Sequence, residues 1–305
     1  MVEPQIFQVN GHTLAVSPLN PGASGEPVIL VHGITGNIAT WQVDPLPSLL
    51  EQGPCYALSL PGHFPAVFPS GFRKEQLTTD MLALTMVEAI CRIAGERPVT
   101  LMGQSTGGFA VLNLAARSPD LVRRVICISG FTHGRWNGFL GLNQDLVRMG
   151  APGKTIFKAI YRLAGLSPGI FKLVMGIYAA DARQLYANRA NAEAIERSIY
   201  NFQQLDLDAM VQYFAVMPDM DITSLLPRIQ APTLVIAGEQ DRTVSTDESR
   251  RIASLVPNAE LAVIPGAGHL SFLERPEEYQ KTLSRWLKET KALPFATGKI
   301  PKNDA

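Results

Sequence analysis

The chain has 305 residues, 46% of them hydrophobic and 18% charged, with 27 basic and 27 acidic side chains. This composition supports a large buried core, and a net charge of zero gives no electrostatic basis for binding nucleic acid. No run approaches the roughly 18 continuous apolar residues of a membrane span. We therefore expect a globular protein that neither binds nucleic acid nor spans a membrane. The sequence leaves the oligomeric state open.

Cysteine usage and the first residues bear on the cellular compartment. The three cysteines, Cys55, Cys91 and Cys127, are odd in number and widely spaced. This pattern favours small buried side chains over a disulfide framework or a zinc site. Residues 1–5 lack the basic region and apolar stretch of a secretory signal. We expect a cytoplasmic protein.

Short apolar runs bounded by glycine or proline predict strands that are buried on both faces. These runs are residues 28–31, 99–102, 125–128, 233–236 and 261–264. Residues 5–9 and 13–18, joined by Asn10-Gly11, predict an antiparallel hairpin. Helical patterns cover residues 79–94, 108–116, 246–255 and 276–287. The alternation predicts a doubly wound α/β sheet with its ligands at the carboxyl ends of the strands.

The alternation stops between residues 131 and 215, where helix formers are mixed with aromatic residues and methionines. We interpret this stretch as a helical cap inserted into a core formed by residues 1–130 and 216–290. Residues 291–305 are expected to form a flexible tail. His133, Trp136 and Phe139 are candidates for lining a pocket under the insertion. Alternatively, such aromatic side chains form the insertion's own small core.

The strongest local signal is Gly103-Gln104-Ser105-Thr106-Gly107, which follows a predicted strand and opens a predicted helix. This G-x-S-x-G context is typical of a nucleophilic serine on a sharp, strained turn. Side chains at positions 103 and 107 would collide with the neighbouring strand and helix. Ser105 is therefore the candidate nucleophile, and an ordinary glycine-rich loop is the alternative.

A serine nucleophile needs a base, and the chain has five histidines. His269 is the candidate because it follows the last predicted strand on a glycine-rich loop. His12 is expected at the surface, and His32 and His63 are expected in structural turns. His133 begins the insertion and would lie near the cleft.

The base should be oriented by a carboxylate that follows the penultimate strand. Gly238-Glu239-Gln240-Asp241-Arg242 offers two. We favour Asp241, which stands further into the loop, and keep Glu239 as the second candidate. Either carboxylate could instead cap the helix predicted from Thr246. With Asp241 the chain order is Ser, Asp, His.

The oxyanion of an acyl-transfer reaction needs hydrogen-bond donors. His32-Gly33-Ile34-Thr35-Gly36 follows the first parallel strand, so its backbone can place the Ile34 N–H opposite the Thr106 N–H. Loss of one such donor costs on the order of 3–4 kcal/mol of transition-state stabilisation.

These motifs, in order and spacing, resemble the α/β-hydrolase superfamily over roughly residues 5–290. The resemblance rests on His32-Gly33, Pro61-Gly62-His63, the motif around Ser105, Asp241 and Gly268-His269. It implies a central, mostly parallel sheet flanked by helices, a helical cap over the site, and Ile34 and Thr106 as oxyanion donors.

Two details restrict the resemblance to part of the superfamily. The nucleophile position holds serine, unlike the aspartate of haloalkane dehalogenases and epoxide hydrolases. The oxyanion loop lacks the run of three glycines found in esterases that accept tertiary-alcohol esters. Gln104 stands where many relatives carry histidine.

The expected function is hydrolysis of a carboxylic ester or thioester of an apolar substrate through an acyl-enzyme, with no metal or organic cofactor. An acyltransferase, a perhydrolase or a carbon–carbon bond hydrolase would use the same triad. A non-catalytic ligand receptor on this fold is the alternative from another class.

Overall fold

The computed structural model describes residues 3–43 and 47–290. The predicted tail, residues 291–305, lies outside the described residues. The chain forms one eight-stranded sheet with helices packed against it. The strands are β1 Gln5–Val9, β2 His12–Pro18, β3 Val28–Val31, β4 Cys55–Leu58, β5 Val99–Gln104, β6 Val122–Ile128, β7 Thr233–Gly238 and β8 Ala259–Ile264.

The strand order is β1-β2-β4-β3-β5-β6-β7-β8. The predicted hairpin forms β1 and β2, which pair antiparallel, and β2 also pairs antiparallel with β4. All pairings from β4 to β8 are parallel. After β3 the chain adds β4 on one side of β3 and then β5 on the other. The carboxyl ends of β3 and β5 therefore border a topological switch point, where ligands bind in this type of sheet.

The helices match the predicted alternation outside the insertion. Their bounds are α1 Thr40–Val43, α2 Pro47–Leu50, α3 Thr79–Ala94, α4 Thr106–Arg117, α5 Gly138–Arg148, α6 Ala151–Ala164, α7 Pro168–Gly176, α8 Ala182–Ala187, α9 Arg189–Gln203, α10 Leu207–Val216, α11 Thr246–Leu255, α12 Ser271–Glu274 and α13 Pro276–Thr290. Short 3₁₀ turns cover Lys74–Gln76, Pro119–Leu121, Met217–Asp219 and Thr223–Arg228.

Local sequence accounts for the limits of α3. The Thr78 side chain accepts a hydrogen bond from the Met81 amide at the first turn, and Gly95 ends the helix with a φ of 68°. The central strands β3, β5 and β7 are buried at every residue, as expected for strands covered on both faces. Within the described ranges, no helix combines the length and apolar character that a bilayer span requires.

Helices α5 to α10, called here the inserted helices, lie between β6 and β7. Several aromatic side chains of this region pack on one another within the same buried cluster as residues of the sheet and of α4. The Phe214 ring lies 4.9 Å from that of Phe157 and 5.3 Å from that of Trp136, and Phe157 and Tyr161 are 4.5 Å apart. Much of the aromatic content of residues 131–215 therefore extends the main hydrophobic core and does not form a separate one.

A buried ion pair joins the sheet to the loop that precedes β3 and lies against α13. Arg124 on β6 is 2% exposed, and its guanidinium lies 2.9 Å from a Glu26 carboxylate oxygen. The same guanidinium donates to Thr100 Oγ1 at 3.1 Å and to the Leu287 carbonyl at 3.3 Å. Its charge and donors are thus compensated inside the fold, as burial of a cation requires.

We expect Arg124→Met to lower the free energy of unfolding by about 2–3 kcal/mol. The substitution leaves the partly buried Glu26 carboxylate without its principal partner and removes hydrogen bonds to β5 and α13. Urea denaturation would measure the change. Arg285→Met is the matched control, because the Arg285–Glu260 pair is exposed and should contribute under about 1 kcal/mol. Equal losses in the two variants would contradict the prediction.

Candidate active site

Ser105 occupies a strained turn between β5 and α4, as the sequence predicts. Its φ is +55° and its ψ is −117°, a backbone conformation that L-residues seldom adopt. Two close approaches require glycine at the flanking positions. A Cβ on Gly103 would lie 2.2 Å from the Gly107 carbonyl oxygen, and one on Gly107 would lie 2.2 Å from the Val31 carbonyl oxygen. The packing of β5, α4 and β3 therefore fixes Ser105 in this conformation.

His269 and Asp241 form a short, buried hydrogen bond. His269 Nδ1 lies 2.7 Å from Asp241 Oδ2, and the two side chains are 5% and 2% exposed. Because an ionised carboxylate only accepts, Nδ1 carries the proton and Nε2 is left available. His269 and Ser105 both line the same cavity.

The loop after β7 holds the Asp241 carboxylate in position for its contact with His269. Its second oxygen, Oδ1, accepts from the Thr243 amide at 2.8 Å and from the Val244 amide at 3.0 Å. Burial acts to raise the pKa of Asp241. The His269 imidazole and the backbone donors outweigh burial and hold the pKa below its ordinary value. The carboxylate therefore stays ionised beside the imidazole at neutral pH.

Glu239, the second candidate carboxylate, faces a different partner. Its Oε2 accepts from the Gly266 amide at 2.9 Å, and the residue is exposed. Glu239 thus supports the loop that carries His269. The structure brings Asp241, not Glu239, to the imidazole.

The loop after β3 borders the cavity beside Ser105. Residues 33–36 form a turn in which the Gly36 amide donates to the Gly33 carbonyl at 3.0 Å. Ile34 lines the cavity. Thr106 is the first residue of α4, so its N–H has no partner within the helix. This N–H lies at the positive end of the helix dipole. A Cβ on Gly33 would lie 2.4 Å from Gln104 Oε1, which shows how closely this loop approaches the Ser105 turn.

Two buried, neutral histidines, His32 and His63, support the loop that follows β3. His32 donates from Nδ1 to the Gly33 carbonyl at 2.8 Å, and its Nε2 accepts from the Leu60 amide at 3.2 Å. His63 is fully buried, with its ring 5.1 Å from that of His32. Burial lowers the pKa of His32 to about 4. Burial, assisted by the neighbouring His32, holds the pKa of His63 well below its ordinary value. Both expected structural roles agree with these contacts.

The cavity above Ser105 has a volume of about 140 Å³ and a mostly apolar wall. The core supplies residues that include Ile34, Gln104, Leu270, Phe272 and Leu273, and the inserted helices supply Leu140, Phe171, Met175, Ile195 and Phe202. Polar contributions come from Thr35, Asn37, Thr40, Tyr178 and Ser198. Among the described residues of the wall there is no lysine, arginine, aspartate or glutamate.

The three residues expected to line the pocket lie elsewhere, since none belongs to this wall. Trp136 is 2% exposed and packs against Phe131 and Phe214. His133 pairs through its backbone with Asp221, and Phe139 is only half-buried at the start of α5. The insertion instead turns α7 and α9 toward Ser105. Helical periodicity alone does not show which helix faces the core.

Sequence reasoning also missed residues that contact the His269 loop. The Tyr178 carbonyl accepts from the His269 amide at 2.9 Å. Glu274 is 6% exposed and accepts from the amides of Gly268 and Leu270, on either side of His269. An acidic residue five positions after the base, at the end of a short helix, was the available signal for Glu274. A carbonyl contact such as that of Tyr178 has no sequence signature.

The buried histidines predict loss of stability in acid. The unfolded chain takes up protons on His32 and His63 below about pH 6.5, and the folded protein resists this uptake down to about pH 4 for His32. The free energy of unfolding should therefore fall as the pH drops through this window, by up to about 3 kcal/mol from His32 alone. Urea denaturation at pH 7, 6 and 5 would measure it. His133→Ala, at a half-buried histidine, should keep the same dependence, and a flat profile would contradict the prediction.

Comparisons with known proteins place the chain in a family. The family model described as "Alpha/beta hydrolase family" matches residues 28–281. The chain is 26% identical over 210 residues to 2-hydroxy-6-oxononadienedioate/2-hydroxy-6-oxononatrienedioate hydrolase 2 of Pseudomonas putida, covering 68% of each protein. It is also 26% identical over 220 residues to polyketide synthase ThaQ of Burkholderia thailandensis. That match covers 70% of this chain and 10% of ThaQ.

Solved structures agree on the fold. The enol-lactonase from Burkholderia xenovorans LB400 superposes with a TM-score of 0.74 at 19% identity, covering 93% of this chain and 100% of that one. The eight-stranded, mostly parallel sheet, the serine turn after β5 and the matched span lead to one assignment: the chain belongs to the alpha/beta hydrolase family and is a hydrolase.

Proposed function

We propose that this hydrolase cleaves an uncharged carboxylic ester or thioester with an apolar acyl group, using Ser105 as nucleophile, His269 as base and Asp241 to orient the base. The observation that carries the proposal is the buried 2.7 Å hydrogen bond from His269 Nδ1 to Asp241, on the cavity that also contains Ser105. A serine, an oriented imidazole and a buried carboxylate are the parts that nucleophilic acyl transfer requires.

In the first step, Ser105 Oγ attacks the substrate carbonyl carbon while His269 Nε2 takes the hydroxyl proton. The carbonyl π electrons move onto oxygen, and the amides of Ile34 and Thr106 stabilise the resulting oxyanion. When this intermediate collapses, the bond to the alcohol or thiol breaks, and His269 returns the proton to the leaving group. The acyl group stays on Ser105 as an ester.

In the second step, a water molecule gives its proton to His269 and attacks the acyl-enzyme. Collapse of the second tetrahedral intermediate releases the carboxylic acid and restores the Ser105 hydroxyl. Asp241 stabilises the imidazolium that forms in each step, and its lowered pKa keeps it charged for that purpose. The inserted helices would act as a cap that limits the access of bulk water to the acyl group.

The cavity wall supports an apolar acyl group of modest size. Engineered apolar cavities of about 150 Å³ hold a molecule of benzene. A cavity of about 140 Å³ therefore suits an acyl chain of roughly six carbons. The name of the Pseudomonas putida relative describes a substrate with two carboxylates. The wall described here has no lysine or arginine to pair with a carboxylate on the acyl group, so we favour an uncharged substrate.

We expect p-nitrophenyl esters to be hydrolysed with a kcat/KM that peaks near the hexanoyl chain. The mono-p-nitrophenyl ester of adipic acid, which adds a terminal carboxylate to a six-carbon acyl group, should react about 10- to 100-fold more slowly because burial of its charge is uncompensated. Ser105→Ala should lower the rate by about 10³-fold or more.

The same assays can contradict the proposal. A Ser105→Ala enzyme as active as the wild type would refute the nucleophile assignment. Equal rates for the charged and uncharged six-carbon esters would refute the substrate class. A folded wild type that turns over no ester and is not labelled by a fluorophosphonate would favour a ligand receptor.

The two carboxylates of the β7 loop provide a matched pair of substitutions. Asp241→Asn should lower kcat by about 10⁴-fold, because an amide can accept at only one oxygen and does not stabilise the imidazolium. Glu239→Gln should keep kcat within about threefold, since its oxygen contacts a backbone amide away from the imidazole. Steady-state kinetics at pH 8 would separate the variants. The reverse ranking would assign the orienting role to Glu239.

A further inference from the structure

Glu274 is a buried carboxylate that the reaction above does not use. It ends α12 and is 6% exposed. Its Oε1 accepts from the Gly268 amide at 3.0 Å and from the Leu270 amide at 3.3 Å. Its Oε2 accepts from the Ala180 amide at 2.7 Å. One side chain thus holds the backbone on both sides of His269 and also holds the turn that follows α7.

The two segments that Glu274 joins are in direct backbone contact. The His269 amide donates to the Tyr178 carbonyl at 2.9 Å. A Cβ on Gly268 would lie 2.4 Å from the Ala180 nitrogen, so only glycine permits this approach. We call the contact between residues 178–180 and residues 268–270 the base joint. It connects the inserted helices to the loop that carries the proposed base.

The groups around Glu274 indicate that its carboxylate acts as an acceptor for backbone hydrogen bonds. Burial raises the pKa of Glu274, against the lowering effect of the three backbone donors and of the Arg275 guanidinium. The Arg275 Nη1 atom itself donates to the Glu274 carbonyl and to Gln184. Across the described part of the chain, every hydrogen bond found at the two carboxylate oxygens comes from a backbone amide of the base joint. A buried carboxylate with these partners acts by fixing the positions of the backbone segments that donate to it.

The base joint also reaches the substrate cavity. Phe171 and Met175 on α7 and Tyr178 directly after it belong to the cavity wall. Tyr178 is also the first residue of the joint, and Ala180, which donates to Glu274, follows it by two residues. His269 belongs to the same wall and to the other half of the joint. The Glu274 carboxylate therefore links the part of the cavity wall formed by α7 and Tyr178 to the loop that carries the proposed base.

We propose that Glu274 is a positioning residue that aligns His269 and seats the inserted helices through the same hydrogen bonds, so that closure of the cavity and alignment of the base occur together. This inference rests on the proposed function for the role of His269. The joint itself follows from the contacts alone.

The test substitutes Glu274 with glutamine, which keeps the shape but supplies one acceptor oxygen in place of two and sets an NH₂ group against a backbone N–H. Glu277→Gln, at an exposed position of α13, is the matched control. We expect Glu274→Gln to lower kcat by about 10- to 100-fold per active site, with KM changed by less than about threefold. Fluorophosphonate titration would count the active sites, so that a loss of folded enzyme is not read as a loss of rate.

Hydrogen exchange measured by mass spectrometry gives a second readout that does not need activity. Exchange should rise together in peptides covering residues 178–180 and 268–270 of Glu274→Gln, and in neither peptide of Glu277→Gln. A kcat equal to that of the wild type would overturn the positioning role, because a residue that only fills space tolerates glutamine. Faster exchange in one segment alone would overturn the joint.

The two proposals can fail separately. A wild type without hydrolase activity overturns the proposed function, and hydrogen exchange then decides on the joint. Should Glu274→Gln not fold, amide exchange of the wild type by NMR decides instead. Similar rates at Ala180, Gly268 and Leu270 support a single unit, and rates that differ by more than about tenfold overturn it.

Discussion

The close approach of three backbones around Ser105 is the constraint on which the rest of the site depends. The Val31 carbonyl of β3 and the glycines at the start of α4 leave no space for side chains at positions 103 and 107. This contact holds Ser105 at a positive φ, a conformation that costs roughly 1–3 kcal/mol and persists only where its surroundings impose it. Because β3 and β5 are also the strands at the switch point, the same contact brings the β3 loop beside the serine.

The core of the fold was predictable because its strands are buried on both faces. Continuous apolar runs such as residues 28–31 carry that information locally, and β3 has those bounds. His12 shows the limit of local reasoning. It was expected at the surface, yet it is 4% exposed and lies against Phe68 and Phe72, which follow it by more than 50 residues. Non-local contacts of this kind leave no pattern around the residue itself.

Within the site, sequence spacing limited the candidates for the carboxylate beside His269 to two, and only the three-dimensional structure distinguishes them. Glu239 and Asp241 are two residues apart on one loop, so no spacing argument separates them decisively. In the structure the amides of Thr243 and Val244 hold Asp241, and it is Asp241 that contacts His269. The inserted helices posed a harder problem, because Trp136 and Phe171 look alike in a helical pattern. Tertiary packing places Trp136 in the main core, against Phe131 and Phe214, and Phe171 in the cavity wall.

The divided wall of the cavity has an evolutionary consequence. The strained serine turn and the β3 loop belong to the sheet, whereas Phe171, Met175, Ile195 and Phe202 belong to helices outside it. Substitutions at those four positions can reshape the cavity without altering the backbone packing that holds Ser105 in its strained turn. In the proposed function, substrate preference can thus diverge through these side chains while the serine turn is inherited unchanged, as long as the backbone contacts of the base joint are kept.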